Sequence, residues 1–264
     1  MNATTTKQDG NTATIEGTVS LINDIHIVGN YDAKFVPGDK FSYKATCESQ
    51  YIEDLIINVE GDKLKAYIKQ LSKKENFTPT LVITYPANYA FQELEFNISA
   101  GAKLDVGEVS AKELDIDIAA GANLTATSLK SDKADVNINA GATISVGQVK
   151  SELVEVDYTS GSGIDIRNIE ATTLEVDGNS GASGVITGNV KKANIGLSSA
   201  ATIEAQKLTA EKAELKASSG AGINFGTVEK NVNAKATTGG NISYSGDPSI
   251  KIIKSTTGGS IRAN

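Results

Sequence analysis

From about residue 91 the apolar side chains fall in an order that repeats every twenty residues. In the first clear unit they occupy Leu104, Val106, Val109, Leu114, Ile116 and Ile118. Adding twenty gives Leu124, Ala126, Leu129, Ala134, Val136 and Ile138, and then Ile144, Val146, Val149, Val154, Val156 and Tyr158. A third addition gives Ile164, Ile166, Ile169, Leu174, Val176 and Gly178. Spacing within each group is mostly two, the alternation of a strand with one buried face and not the 3.6 period of a helix. The step from Val106 to Val109 breaks the alternation, and Gly107 sits in the break, so the chain should bend there. A second bend is expected at a glycine step on the same beat: Gly101-Ala102, Gly121-Ala122, Gly141-Ala142, Gly161-Ser162 and Gly181-Ala182. A weaker beat continues through Ala200-Ala201, Gly220-Ala221, Gly239-Gly240 and Gly258-Gly259. From residue 184 the register slips, with Val190, Ile195 and Leu197 displaced, and the last two units shorten to about nineteen residues.

A fixed period of this size marks a repeat architecture whose units bury their apolar face only against one another. At ~3.3 Å per residue a twenty-residue circuit is about 66 Å of chain. That suits a flattened or triangular coil with a solid aliphatic interior and is too short for a pore. One coil buries too few side chains to offset the entropy of ordering its backbone, so the coils must stack. The fold expected is all-β: a single-stranded parallel β-helix over residues 91–264, with eight to nine coils. At ~4.8 Å per rung these make a rod of about 40 Å.

Residues 15–90 carry strand runs without the period: 25–28, 33–36, 41–45, 55–59, 64–68 and 81–86. Pro37-Gly38-Asp39 reads as a turn, and Glu60-Gly61-Asp62-Lys63 as a hairpin connection. This region is expected to be an N-terminal β cap that closes the open end of the solenoid. Residues 1–14, polar and rich in Thr and Asn, read as a flexible lead. Residues 1–264 then form a single elongated domain.

The 32 acidic and 25 basic residues leave a net charge of −7, with no basic stripe suited to phosphates, so a nucleic-acid partner is not expected. No run approaches the roughly 20 apolar residues that span a bilayer. The N-terminus lacks an apolar signal core and resembles a tether left after an export signal has been removed. Cys47 is the single cysteine and His26 the single histidine, so neither a disulfide framework, a zinc pattern nor a Cys–His pair is expected. His26 reads as a structural, solvent-facing residue in an alternating strand.

Outward positions form columns. Asp115, Asp135, Glu155 and Glu175 share one, and Asp117, Asn137, Asp157 and Asp177 the next. Two readings compete: a weak divalent-cation or cationic-partner surface, and a charged face that keeps the solenoid soluble. The calcium-loop pattern is absent, which favours the second. Polysaccharide lyases and hydrolases also use β-helices, but they need paired carboxylates in a cleft built by long loops. Here the loops are short, arginine occurs only at Arg167 and Arg262, and tryptophan is missing. Thr125, Thr127, Thr143, Thr187 and Thr202 do not hold one column, against an ice-binding array. Asn76, Asn97, Asn123 and Asn241 match the N-glycosylation pattern, which arises readily by chance in an Asn/Thr-rich repeat.

Three stretches carry a family resemblance. The entry runs from Ile22 to Asp39, with a Gly29-Asn30-Tyr31 step between two strands and a closing Gly38-Asp39 turn. The middle is the hairpin Ile57-Asn58-Val59-Glu60-Gly61-Asp62-Lys63-Leu64-Lys65. The end is Gly239-Gly240-Asn241-Ile242-Ser243-Tyr244-Ser245-Gly246-Asp247-Pro248, followed by Thr257-Gly258-Gly259-Ser260-Ile261. Together they resemble the putative auto-transporter adhesin family, or head GIN domain, of Bacteroidetes-type bacteria. Cys47-Glu48-Ser49 and the very regular middle array depart from that pattern.

The resemblance implies an exported protein of the outer membrane, cell surface or periplasm with an adhesin-like role. It brings no catalytic motif. No catalytic residue, cofactor or metal ligand is therefore assigned, and the expected partner is an unidentified surface protein or glycan. The alternatives are a carbohydrate-active β-helix enzyme and a purely architectural envelope spacer.

Overall fold

The computed structural model describes residues 3–69 and 77–264. It is a parallel β-solenoid of about 9 turns from Phe91 onward, as the period requires. β9 (Phe91–Ser99) and β10 (Lys103–Asp105) make the first of these turns. β11 (Glu108–Ile118), β12 (Asn123–Lys130) and β13 (Lys133–Ile138) follow. The long strands β14 (Thr143–Tyr158), β15 (Gly163–Gly178), β16 (Ser183–Leu197), β17 (Thr202–Ala217) and β18 (Gly222–Ala236) each run through a corner. β19 (Asn241–Ser245), β20 (Ile250–Ser255) and β21 (Ser260–Ala263) complete the stack.

Each regular coil has three straight segments. One, containing Leu114, Ile116 and Ile118, pairs in parallel with its equivalents at Ala134, Val136 and Ile138 and builds a first sheet. A second, containing Leu124, pairs with Ile144 and builds a second sheet. A short third row aligns Val109, Leu129, Val149 and Ile169. The inward positions from all three are buried to within a few per cent and fill the interior.

The first and second sheets meet at the glycine beat, where the bend lies one residue earlier than the sequence suggests. Ala120 (φ 51°) and Gly121 (φ 72°) both take left-handed backbone, the pattern of a type I′ turn. The Ala122 amide closes it by donating to the Ala119 carbonyl at 3.1 Å. Ala122 itself points inward and is buried. The Gly121 amide donates to the Ala140 carbonyl of the next turn, also at 3.1 Å, so the turns stack with their own hydrogen-bond ladder.

Parallel stacking begins before residue 91. β3 (Asp24–Val28) pairs in parallel with β9, and β4 (Asp32–Gly38) with β10. β7 (Lys63–Ile68) and β8 (Thr80–Pro86) then pair in parallel with β3 and β4 from outside. Two further rungs thus belong to the region expected to be only a cap, and the chain's first rung lies second in the stack. Capping is done by the antiparallel strands. β6 (Leu55–Glu60) covers the edge of β7. β5 (Ser42–Glu48) covers β8, and β2 (Thr12–Thr18) covers β5. β1 (Ala3–Asp9) pairs with β2, so most of the expected flexible lead is a hairpin arm. Its run of β-branched threonines favours the extended backbone.

At the other end Lys251 occupies the inward position below Val232, with its ammonium 2.6 Å from Asp247. The register slips begin where Ile166 pairs with Ile186 but Ile169 with Gly188, and they recur in the next three pairings.

Candidate functional site

The outer surface of the first sheet holds the two columns read from the sequence, in the register expected. The first continues past the repeat: Asp24 and Glu95 precede Asp115, and Asn194 and Glu214 follow Glu175. The second runs His26, Asn97, Asp117, Asn137, Asp157, Asp177, Gly196, Lys216, Lys235 and Lys254. It changes sign at Gly196. Lys192 and Lys212, paired with each other beside it, add to the basic side. Lys63 and Lys65 head the two columns on the outermost rung. From Asp24 and His26 onward the face is acidic as far as Asp177 and basic from Lys216.

Electrostatics follow from this stacking. Strand spacing brings like carboxylates to within about 5 Å of one another along the column. Partial burial, with Asp135 and Glu95 alongside, pushes the Asp115 carboxyl above the ordinary aspartate range. Partial burial likewise raises Asp117 and Asp157, with repulsion from neighbouring carboxylates adding to both. Cations reach into the acidic half at two places: Lys133 meets Glu155 at 2.7 Å, and Lys63 meets Asp24 at 2.8 Å. At the crossover Lys216 pairs with Glu214 at 2.6 Å. There the missing side chain of Gly196 leaves a notch of about 160 Å³, lined by Glu175, Asp177, Asn194, Glu214 and Lys216. Asn194 donates to Glu175 at 2.9 Å, and its own carbonyl oxygen is buried without a partner.

Upstream, the acidic half ends in a cluster the sequence does not reveal. His26 Nε2 lies 2.9 Å from Asp24 Oδ1 and 3.9 Å from Glu95 Oε1. Asn97 places its side-chain amide nitrogen 3.0 Å from the same ring nitrogen. His26 is only about 30% exposed and sits among these groups instead of facing open solvent. Asp24 and His26 share a face because they are two apart on one strand. Glu95 joins them only through the pairing of β3 with β9, seventy-one residues away from Asp24 and outside any period.

The second sheet differs. One of its outward columns is small and mostly neutral: Asn123, Thr143, Gly163, Ser183, Thr202 and Gly222. Thr143 and Thr202 do share it, but glycine and serine separate them, while Thr125 lies in the neighbouring column. The trough over this column measures about 370 Å³ and includes Asp165 and Glu204. Both carboxylates are engaged: Arg167 holds Asp165 through two nitrogens at 3.0 and 2.9 Å, and Asn224 donates to Glu204 at 2.7 Å. Of the glycosylation matches, Asn97, Asn123 and Asn241 lie in strands and Asn76 lies outside the described residues. Cys47 is buried.

The family model for the putative auto-transporter adhesin, head GIN domain, matches residues 21–147 and again 143–248. The chain belongs to this family. No curated protein matches it in sequence. Solved structures share the fold along almost the whole chain. A putative adhesin from Parabacteroides distasonis superposes with TM-score 0.69 at 17% identity, covering 97% of this chain and 98% of its own. A putative lipid binding protein from the same species gives 0.65 at 21%, with coverage of 97% and 98%. A putative adhesin from Parabacteroides merdae gives 0.64 at 16%, with 96% and 97%. The two family matches overlap inside the array, as expected where one unit repeats. Among the described residues of this head GIN chain, no helix is long and apolar enough to cross a membrane.

Proposed function

We propose that this head GIN protein is an exported, non-catalytic envelope protein with an adhesin-like role, which holds an extended protein or glycan partner along its first sheet. The observation that carries this reading is the change of sign in one outward column, from Asp117 and Asp157 to Lys216, Lys235 and Lys254. A spacer needs only a soluble surface, and mixed charge would serve it as well as segregated charge. Segregation over a rigid sheet instead gives a polar partner one preferred orientation.

A carbohydrate-active enzyme has less support. The notch beside Gly196 is smaller than the ~300–1,000 Å³ usual for ligand pockets. In the trough of the second sheet, both carboxylates are already paired. A lipid-binding role, the name given to one structural neighbour, fits poorly with an interior filled by residues such as Ile116, Val136 and Val156.

The test is a glycan and envelope-protein array probed with the wild type and with the triple variant Lys216→Glu/Lys235→Glu/Lys254→Glu. Retention should be salt-sensitive and weaken at least tenfold in the variant. A wild type that retains nothing supports the spacer, and cleaved glycan products would support the enzyme.

A further inference from the structure

The cluster around His26 has more groups converging on one ring nitrogen than that nitrogen can satisfy. Asp24 Oδ1, Glu95 Oε1 and the Asn97 amide all point at Nε2, within 2.9, 3.9 and 3.0 Å. The nitrogen offers either one proton or one lone pair. When it accepts from the Asn97 amide, its lone pair is used and the Asp24 oxygen faces it as a second acceptor. In that tautomer the buried Asp24 Oδ1 has no hydrogen-bond donor. Two acceptors 2.9 Å apart need a positive centre shared by both, which a ring proton or a metal ion can supply.

We propose that Asp24, His26 and Glu95 form a divalent transition-metal site at the end of the acidic face. The ligand atoms lie within 4.8 Å of one another. They come from two hydrogen-bonded strands, so their spacing is set by the sheet and not by loops. Lys63 holds the other Asp24 oxygen at 2.8 Å and so turns Oδ1 toward the histidine, the part that outer-shell partners play at metal centres. Asn97 donates to Glu95 and lies beside the ring, so its amide must withdraw from Nε2 when a metal takes that lone pair.

One imidazole with two carboxylates suits zinc or a neighbouring transition ion, whereas calcium and magnesium prefer oxygen alone. The remaining acidic columns lack an imidazole, which separates this site from a diffuse counter-ion layer along the stripe. The site does not depend on the adhesin reading, since its evidence is the geometry at one end of the sheet.

The experiment uses the full chain without a polyhistidine tag and Zn²⁺ alone as the probe. Because His26 is the only histidine, its ring nitrogens give a single set of ¹⁵N resonances. One equivalent of Zn²⁺ should shift the Nε2 resonance and saturate it, and an equal concentration of Ca²⁺ should not. Binding measured by calorimetry should weaken at least tenfold in His26→Gln and in Asp24→Asn. Absence of saturable Zn²⁺ binding overturns the site. So does binding that leaves the His26 resonances in place, because the ion then sits on the carboxylate ladder. Equal shifts with Ca²⁺ would overturn the imidazole ligation. The wild-type titration decides the matter even where a variant fails to fold.

Discussion

The entry of this solenoid, up to Pro86, and its array, from Phe91 onward, occupy one continuous core but fill it differently. The array uses branched aliphatics that recur at the same place in successive turns, such as Ile116, Val136, Val156 and Val176. The entry, together with the first turn of the array, uses rings. Phe35 stacks on Tyr85 at 4.4 Å and meets Phe96 edge-on at 5.4 Å, while Phe41 and Tyr89 pack around Phe91. A repeated cross-section is closed by repeated side chains. Where antiparallel strands fold back over the last parallel rung, the space is irregular, and a large flat side chain fills it with few rotatable bonds. The difference shows how a periodic interior is brought to an end.

The sharpest way to break this comparison is Phe35→Ala. Phe35 is 1% exposed at the centre of the ring cluster. Truncation should cost about 3–5 kcal/mol, the usual range for a buried aromatic. Because entry and array share one core, chemical denaturation should still show a single transition at lower denaturant. An early, separate transition that leaves the array folded would show instead that the entry is an independent unit.

Legibility in the sequence follows the same divide. The array could be read because its inward set recurs by simple addition, and all of Leu114, Ala134, Val154 and Leu174 are buried in one row. The entry's strands were readable one by one from their turns, yet their order was not. Nothing local in Asp24–Val28 says that it lies between Lys63–Ile68 and Phe91–Ser99, because the chain goes out to the end of the rod and returns. The acidic columns were legible for the same reason as the core. Their basic continuation at Lys216, Lys235 and Lys254 is hidden by successive register slips that begin at Ile169 and Gly188 and put the count out by one at Lys216, two at Lys235 and three at Lys254. His26 can be read only from its own strand, because its neighbours depend on a pairing that no period encodes.

The turns offer a smaller and cleaner test within the array. Most have glycine at the second left-handed position, but one has Ala200 there, with φ 62°. Its side chain is exposed, so nothing is lost by removing it. Ala200→Gly should raise stability by about 1 kcal/mol, the typical cost of a left-handed L-residue. Gly121→Ala should lower it by a similar amount, since a Cβ there would meet nothing within 4 Å and only the backbone angle is at stake. Equal stability in both variants would mean that the stacked ladder of turn hydrogen bonds, and not backbone preference, fixes the bend.

The smallest expected effect bears on the acidic half of the first sheet. Asp115 lies between Glu95 and Asp135 in register, and partial burial is the main cause of its raised carboxyl value. A raised value means that the folded chain holds the proton more tightly than the unfolded one. Folding is therefore favoured below the titration, and that contribution is lost as pH climbs through the folded value. Asp115→Asn keeps the shape and removes the charge. At pH 7 it should stabilise the fold by about 0.5 kcal/mol, the scale of like charges facing across strands. The gain should shrink as pH falls toward the ordinary aspartate value of 3.8, where the wild-type carboxyl is itself protonated. High salt should shrink it as well, by screening the neighbouring carboxylates. A loss of stability at pH 7 would reverse the sign of the argument. It would mean that the carboxylate is held by attraction, and that the acidic half of the face keeps its charge against a bound cation and not merely against solvent.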